Sequence, residues 1–355
     1  MKNTIRNKSL RILMSLAIGL AAQAVPARPT AAKAKPDTTR SVIPFANGVK
    51  VKLERTGQGR PVLVIHGGGG PGSVAGFVKG LSATADVLAP VIPGFSGTER
   101  PDWYNSIDDV ALTYLELIEK LDLKDVLVVG FSMGGWVAAQ MSVLDGHRIG
   151  GVVLVDALGI QVEGETVLDV FRINPADLPK YAFYNPAAFA VDPSKVTPEQ
   201  TAERAANFAT LAAYSKDRLW DTKLRRRLAE VETPALVVWG EADGIVTPGF
   251  GRAYAEAFAH GRFELISQSG HNPQLEQPVK LMGLVKGFHA GIANPLRIRT
   301  GSIDSAPEGI SLRRGIGHAA LSLSAPKHVS LSLVSPSGRF LADIAILGLI
   351  PFSRL

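Results

Sequence analysis

Asp125-Val126-Leu127-Val128-Val129-Gly130-Phe131-Ser132-Met133-Gly134-Gly135 is the stretch that decides how this chain reads. Val126 to Val129 is a short apolar run rich in β-branched residues, which is the pattern of a strand buried on both faces. Gly130 to Gly134 then spells G-x-S-x-G, and Trp136, Val137, Ala138, Ala139 and Met141 continue as a helix. A serine between a buried strand and a helix sits on a sharp turn. Glycines flank it because strand and helix approach where no side chain fits. The turn pushes the Ser132 hydroxyl out at the carboxyl end of the sheet, where open α/β sheets place their sites. The N–H of Met133, at the helix start, can face a developing negative charge. A plain βα turn that happens to contain serine is the bland alternative. The strand before it and the helix after it argue against that.

Working outward, strands and helices alternate around this turn. Val42 to Phe45 and Val49 to Leu53 read as strands, and Asn47-Gly48 between them is a hairpin signal. Pro61 to Ile65 is a third strand and runs into His66-Gly67-Gly68-Gly69-Gly70-Pro71-Gly72. So many glycines form neither helix nor strand, and their N–H groups are free to point inward. The run lacks the order of a phosphate-binding loop, G-x-x-x-x-G-K-[ST]. Val74 to Leu81 reads as a helix and Val87 to Ile92 as a strand, followed by Pro93-Gly94-Phe95-Ser96-Gly97. Ser106 and Asp109 have the spacing of a capping box. Val110, Tyr114, Leu117, Ile118 and Leu121 then share one helical face. Val152 to Val155 is the strand that ends at Asp156.

The strand rhythm stops from Ala157 to Glu232. Five prolines punctuate short segments, and Thr201 to Tyr214 and Leu219 to Val231 look helical. A connection this long is read as a helical cap inserted at 157–232. Ala235 to Trp239 resumes the strands, Arg252 to Ala259 is a helix, and Phe263 to Ile266 is the last strand. Pro278 to His289 closes as a helix with proline in its first turn. The core thus spans 41–156 and 233–292. Residues 293–355 fit nothing before them and read as a poorly ordered extension, with a few docked strands as the alternative.

The 355 residues suffice for one large α/β domain with an insertion. There is no cysteine, which excludes disulfides, thiolate catalysis and cysteine-ligated metals. Lys2, Arg6, Lys8 and Arg11 precede an apolar Ile12 to Ala24 segment ending in Ala22-Gln23-Ala24. That is the form of a secretory signal over 1–24, with a mature start near Val25 and a periplasmic or secreted destination. The apolar run is shorter than the roughly 20 residues that span a bilayer, so no stable membrane anchor is expected after cleavage. Residues 25–40 read as an unfolded spacer. The net charge of +6 comes from the two ends of the chain, and residues 41–294 are mildly acidic. Nothing in that balance points to nucleic acid or an anionic membrane surface, and a small-molecule substrate is the expected partner. Oligomeric state stays open.

Ser132, Asp243 and His271 each follow a different strand. A serine hydroxyl is too weak a nucleophile alone and needs an adjacent base. A histidine base needs a carboxylate to fix its tautomer and stabilise the imidazolium. The chain order Ser, Asp, His is that of the α/β-hydrolases. Asp156 is the rival acid, because it also ends a strand. Glu241 stands two positions early. Among the seven histidines only His271 follows a strand late in the chain.

Residues 41–290 resemble the α/β-hydrolase fold throughout. HGGGGPG (66–72), PGFSGT (93–98), GFSMGG (130–135), WGEAD (239–243) and GH (270–271) match the family's motifs in order. The resemblance implies a mostly parallel eight-stranded sheet with helices on both faces and a helical cap. It implies Ser132 as nucleophile, His271 as base and then acid, and Asp243 as orienting acid. It also implies an oxyanion hole from the N–H groups of Gly68 and Met133, with no metal or organic cofactor. His66, in the glycine loop, is then a structural hydrogen-bonding group. The activity implied is hydrolysis of a small ester or related acyl compound. HGGGGPG and SMGG are also similar to the meta-cleavage-product hydrolases, which cleave carbon–carbon bonds in dienoates. Phe131 stands where those enzymes usually carry asparagine, and Asn272 where they carry tryptophan. GFSMGG is also similar to cofactor-free haloperoxidases. A non-catalytic binding protein on this fold would be expected to have lost one of the three residues.

Overall fold

The computed structural model describes residues 38–189, 193–216 and 218–293, together with four strand segments between 310 and 346. The signal read at 1–24 and most of the spacer lie outside the described residues. The sheet begins with a hairpin of β1 (Thr38–Pro44) and β2 (Lys50–Thr56), paired antiparallel from Thr38↔Thr56 to Pro44↔Lys50. Thr38 to Arg40, read as spacer, are thus strand. The hairpin extends outward through polar, exposed residues that carry no apolar signal.

β3 (Pro61–Ile65), β4 (Asp86–Pro90), β5 (Val126–Phe131), β6 (Ile149–Val155), β7 (Ala235–Gly240) and β8 (Gly261–Ile266) complete an eight-stranded sheet. Its order is β1-β2-β4-β3-β5-β6-β7-β8, antiparallel at the first two pairings and parallel thereafter. The parallel run is α/β-hydrolase topology, and it puts the carboxyl ends of β3 to β8 on one edge.

Side chains alternate across each strand, so one strand feeds two cores. Val126 and Val128 of β5 join Val237 and Trp239 of β7 on one face. There they pack against α2 (Ile107–Lys120), α3 (Met133–Leu144) and α7 (Pro248–Ala257). Leu127, Val129 and Phe131 join Leu236 and Val238 on the other face, under α1 (Ala75–Leu81) and α9 (Pro278–Ala293). α2 starts at the capping box: Asp109 N–H donates to Ser106 Oγ at 3.2 Å, and the Ser106 N–H donates back to Asp109 Oδ2 at 2.9 Å. Such a cap contributes about 1 kcal/mol.

The insertion between β6 and β7 holds α4 (Leu178–Ala182), α5 (Pro198–Ser215) and α6 (Leu224–Arg227). A single helix over Leu219–Val231 is not what forms. Asp221 Oδ1 accepts the N–H groups of Lys223 and Leu224, which starts α6 afresh, and a 3-10 turn at Leu228–Glu230 ends it. Leu219, Leu224, Leu228 and Val231 are all buried, which produces a helix-like spacing without one helix. α8 (Pro273–Glu276) lies between β8 and α9. Beyond α9, β9 (Ile310–Gly315) pairs antiparallel with β10 (His318–Leu323), and β11 (Val329–Val334) with β12 (Phe340–Ile346).

Candidate active site

Ser132 joins β5 to α3 with φ 51 and ψ −116, backbone angles that side-chain-bearing residues rarely adopt. The strain is held from both sides. Ser132 N–H donates to Val155 O at 2.9 Å, and Ser132 O accepts the Leu158 N–H at 3.2 Å. The flanking glycines are obligatory. A methyl on Gly130 would lie 2.1 Å from Gly134 O, and one on Gly134 would lie 2.3 Å from Ile65 O. Ser132 is partly exposed, and its Oγ has no protein hydrogen-bond partner among the described residues.

Asp243 follows β7 and His271 follows β8. His271 Nδ1 lies 2.7 Å from Asp243 Oδ2, with the Asp243 side chain fully buried and that of His271 nearly so. Asp243 Oδ1 accepts the N–H groups of Ile245 at 2.8 Å and Val246 at 3.0 Å. Trp239 Nε1 donates to Val246 O at 2.8 Å and fixes the same loop. A carboxylate receiving three N–H bonds is held in one orientation. It assigns the proton to His271 Nδ1 and leaves Nε2 as the free basic nitrogen. The structure therefore joins His271 to Asp243 by a hydrogen bond. It does not join Ser132 to His271 by one, although both stand at the carboxyl edge of the sheet.

The rival acid is nearby. Asp156 is buried, and its Oδ1 accepts the Gly240 N–H at 2.8 Å. Burial, then the charge of Asp243, raises its pKa well above the ordinary carboxyl range. Glu241 is exposed.

The glycine loop closes the other side. Buried His66 bonds Gly67 O through Nδ1 at 2.8 Å and accepts the Ile92 N–H at Nε2 at 3.1 Å, which fixes a neutral tautomer. Burial lowers its pKa to about 4. It is a brace between the loops after β3 and β4. The N–H groups of Gly68 and Met133 have no acceptor among the described residues. A methyl on Gly68 would meet Leu211 of α5 at 2.9 Å, and one on Gly67 would meet Ser132 Cβ at 2.9 Å. Among the described residues no cluster of three or more His, Asp or Glu is disposed to hold a metal ion.

Sequence reasoning missed two residues that assemble the cap onto these loops. Asn207 Oδ1 accepts the Ser96 N–H at 2.8 Å. Glu276 accepts from Gly270 N–H at 2.6 Å, Tyr184 N–H at 2.9 Å and Asn185 N–H at 3.1 Å. Neither lies in a motif, and their partners are distant in sequence.

The model of the alpha/beta hydrolase family matches residues 62–282. The chain is 26% identical over 273 residues to 2-hydroxymuconate semialdehyde hydrolase of Pseudomonas sp. strain CF600, covering 72% of this chain and 95% of the relative. It is 25% identical to a 2-hydroxy-6-oxo-2,4-heptadienoate hydrolase of Pseudomonas putida, covering 69% and 95%. Among solved structures it is similar to an esterase from Exiguobacterium antarcticum, with TM-score 0.60, 20% identity and coverage of 71% and 100%. It is likewise similar to a meta-cleavage product hydrolase from Pseudomonas fluorescens, with TM-score 0.59, 22% identity and coverage of 70% and 97%. Topology, the strained serine turn and the family match lead to one conclusion: the chain belongs to the alpha/beta hydrolase family.

Proposed function

We propose that this protein is a serine hydrolase of small esters, acting through a covalent Ser132 acyl-enzyme. The carrying observation is the Asp243–His271 hydrogen bond, at the same carboxyl edge of the sheet as the strained Ser132 turn. In this reading Ser132 Oγ attacks the ester carbonyl and its proton passes to His271 Nε2. Asp243 holds the imidazole and stabilises the imidazolium. The N–H groups of Gly68 and Met133 receive the oxyanion, and losing one such donor costs about 10²–10³ in rate. The departing alcohol takes the proton from His271. Water, activated by the same Nε2, then releases the acid.

Carbon–carbon cleavage of a dienoate is the second reading, favoured by the names of the sequence relatives. Two departures argue for esters. Phe131 is buried edge-to-face against Phe77, so the position beside the nucleophile offers hydrocarbon in place of an amide. Asn272 spends its side chain on Ala182 O and on Gln274. The amino-terminal signal supports export to the periplasm or medium as the setting.

The test is a fluorophosphonate probe followed by peptide mass spectrometry, alongside turnover of short aryl esters and a dienoate diketone. Labelling of Ser132 alone, lost in Ser132→Ala, with ester turnover is the expected result. Dienoate turnover far above ester turnover would move the enzyme to the carbon–carbon hydrolases. An unlabelled Ser132 in folded protein without turnover would overturn both readings.

A further inference from the structure

Two buried carboxyls meet behind the base. Asp156, at the end of β6, is 1% exposed and adopts φ 45, and its N–H donates to Val238 O at 3.1 Å. Gly240 N–H occupies its Oδ1, while the buried Oδ2 has no hydrogen-bond partner among the described residues. Gly240 links the two acids: its N–H donates to Asp156 Oδ1, and its O accepts the Asp243 N–H at 3.3 Å. Two ionised carboxylates held on one residue's backbone, out of water, repel strongly, and such a pair retains one proton. The hydrogen bonds decide which acid keeps it. Asp243 receives three N–H donors and Asp156 one. Each donor favours the anion, so the proton stays on Asp156. Burial and the Asp243 charge act in the same direction, and Glu276 in α8 adds to them. Among the described residues the charged groups that bear on Asp156 are Asp243 and Glu276, with His271 reaching the pair through Asp243 Oδ2.

We propose that Asp156 is a positioning residue: it keeps a proton on Oδ2 and donates it to the Asp243 carboxylate, so that the two acids share one negative charge behind His271. The proposal rests on His271 being the base of the hydrolytic reaction. It gives Asp156 a role different from that of the alternative acid. The donated proton fixes the Asp243 rotamer. It also draws charge away from the oxygen that faces the imidazole, which tempers how strongly the imidazolium is held.

Asp156→Asn is the near-isosteric test, because the amide oxygen can accept from Gly240 and the NH₂ can donate to Asp243. The acid limb of kcat/KM should stay where the wild type has it in Asp156→Asn. It should move to higher pH in Asp156→Ala, where Asp243 loses a donor. If Asp156 were ionised, Asp156→Asn would remove a negative charge and move the limb to lower pH, which would overturn the proposal. An Asp156→Ala limb that coincides with wild type would also overturn it.

A second readout needs no turnover. A carboxyl whose folded pKa is raised above its unfolded value stabilises fully below about pH 4, and that stability is lost as pH rises toward the folded value. The melting temperature of Asp156→Asn should therefore gain on wild type as pH rises from about 4. Wild type at neutral pH should show a carboxylic-acid C=O infrared band that Asp156→Asn lacks. A constant melting difference and no such band would refute the protonated acid. If Ser132 went unlabelled while the band persisted, the hydrolase chemistry would fail and the carboxyl pair would stand.

Discussion

Replacing Asp243 by Asn tests the acid assignment, because the structure dictates how the new amide must sit. Oδ1 receives two buried N–H bonds, from Ile245 and Val246. Turning the amide to place NH₂ there would leave both donors unpaired, at about 1–3 kcal/mol each. The amide oxygen therefore stays with Ile245 and Val246, and the NH₂ faces His271 Nδ1. Two donors then oppose each other across the former 2.7 Å bond. His271 relieves this by moving its proton to Nε2, and the nitrogen meant to accept the Ser132 proton already carries one. The imidazolium also loses its counter-charge. In a serine triad of this logic the exchange costs about 10⁴ in kcat, or ~5 kcal/mol of activation free energy. The assay is p-nitrophenyl acetate turnover under saturating conditions, with melting temperature as the control for folding. An Asp243→Asn enzyme within about tenfold of wild type, paired with an Asp156→Asn enzyme as damaged as the 10⁴ figure, would refute the assignment.

In Gly240→Ala the new methyl would lie 1.9 Å from Gly270 O, a backbone atom that cannot turn aside. The loss should exceed the usual ~1–3 kcal/mol of overpacking and appear as a large drop in melting temperature. The His66 pKa is depressed to about 4 from 6.5, so the folded state binds fewer protons than the unfolded state between those values. Stability from this group is complete above pH 6.5 and falls as pH drops toward 4, on the order of 3 kcal/mol in all. His66→Gln should show a shallower acid loss in urea titrations, and an unchanged slope would count against the neutral brace. Glu276→Ala orphans three N–H groups, two of them on the cap, and should raise KM more than it lowers kcat in steady-state kinetics. Mass spectrometry of protein from an exporting host should find Val25 first, and an intact Met1 in the soluble fraction would refute the signal.

The legible parts of the fold were those whose cause is local. Val126 to Val129 needs only its own composition to read as a buried strand. The Gly130 and Gly134 contacts, at 2.1 and 2.3 Å, show why the serine turn tolerates no other residue there. Ser106 and Asp109 cap their helix from three positions apart. The illegible parts depend on segments that meet only after folding. Thr38 to Arg40 are strand because Glu54, Arg55 and Thr56 lie opposite them. Asp156 was legible as an acid ending a strand, yet its relation to Asp243 depends on β6 and β7 lying side by side. Glu276 collects donors from residues 91 and 92 positions earlier, and no spacing in the sequence marks it.

These distant contacts divide the cap's work in two. α5 attaches to the glycine-loop side: Leu211 faces Gly68, Thr210 Oγ1 donates to Gly94 O at 3.0 Å, and Tyr214 donates to Pro93 O at 2.8 Å. α4 attaches to the acid–base side: His271 N–H donates to Ala182 O and Gly244 N–H to Tyr181 O, both at 2.9 Å. The cap thus carries backbone acceptors for the very loops that hold Asp243 and His271. Lifting it as one rigid lid would break bonds on both sides of Ser132 together, each worth about 0.5–1.5 kcal/mol net.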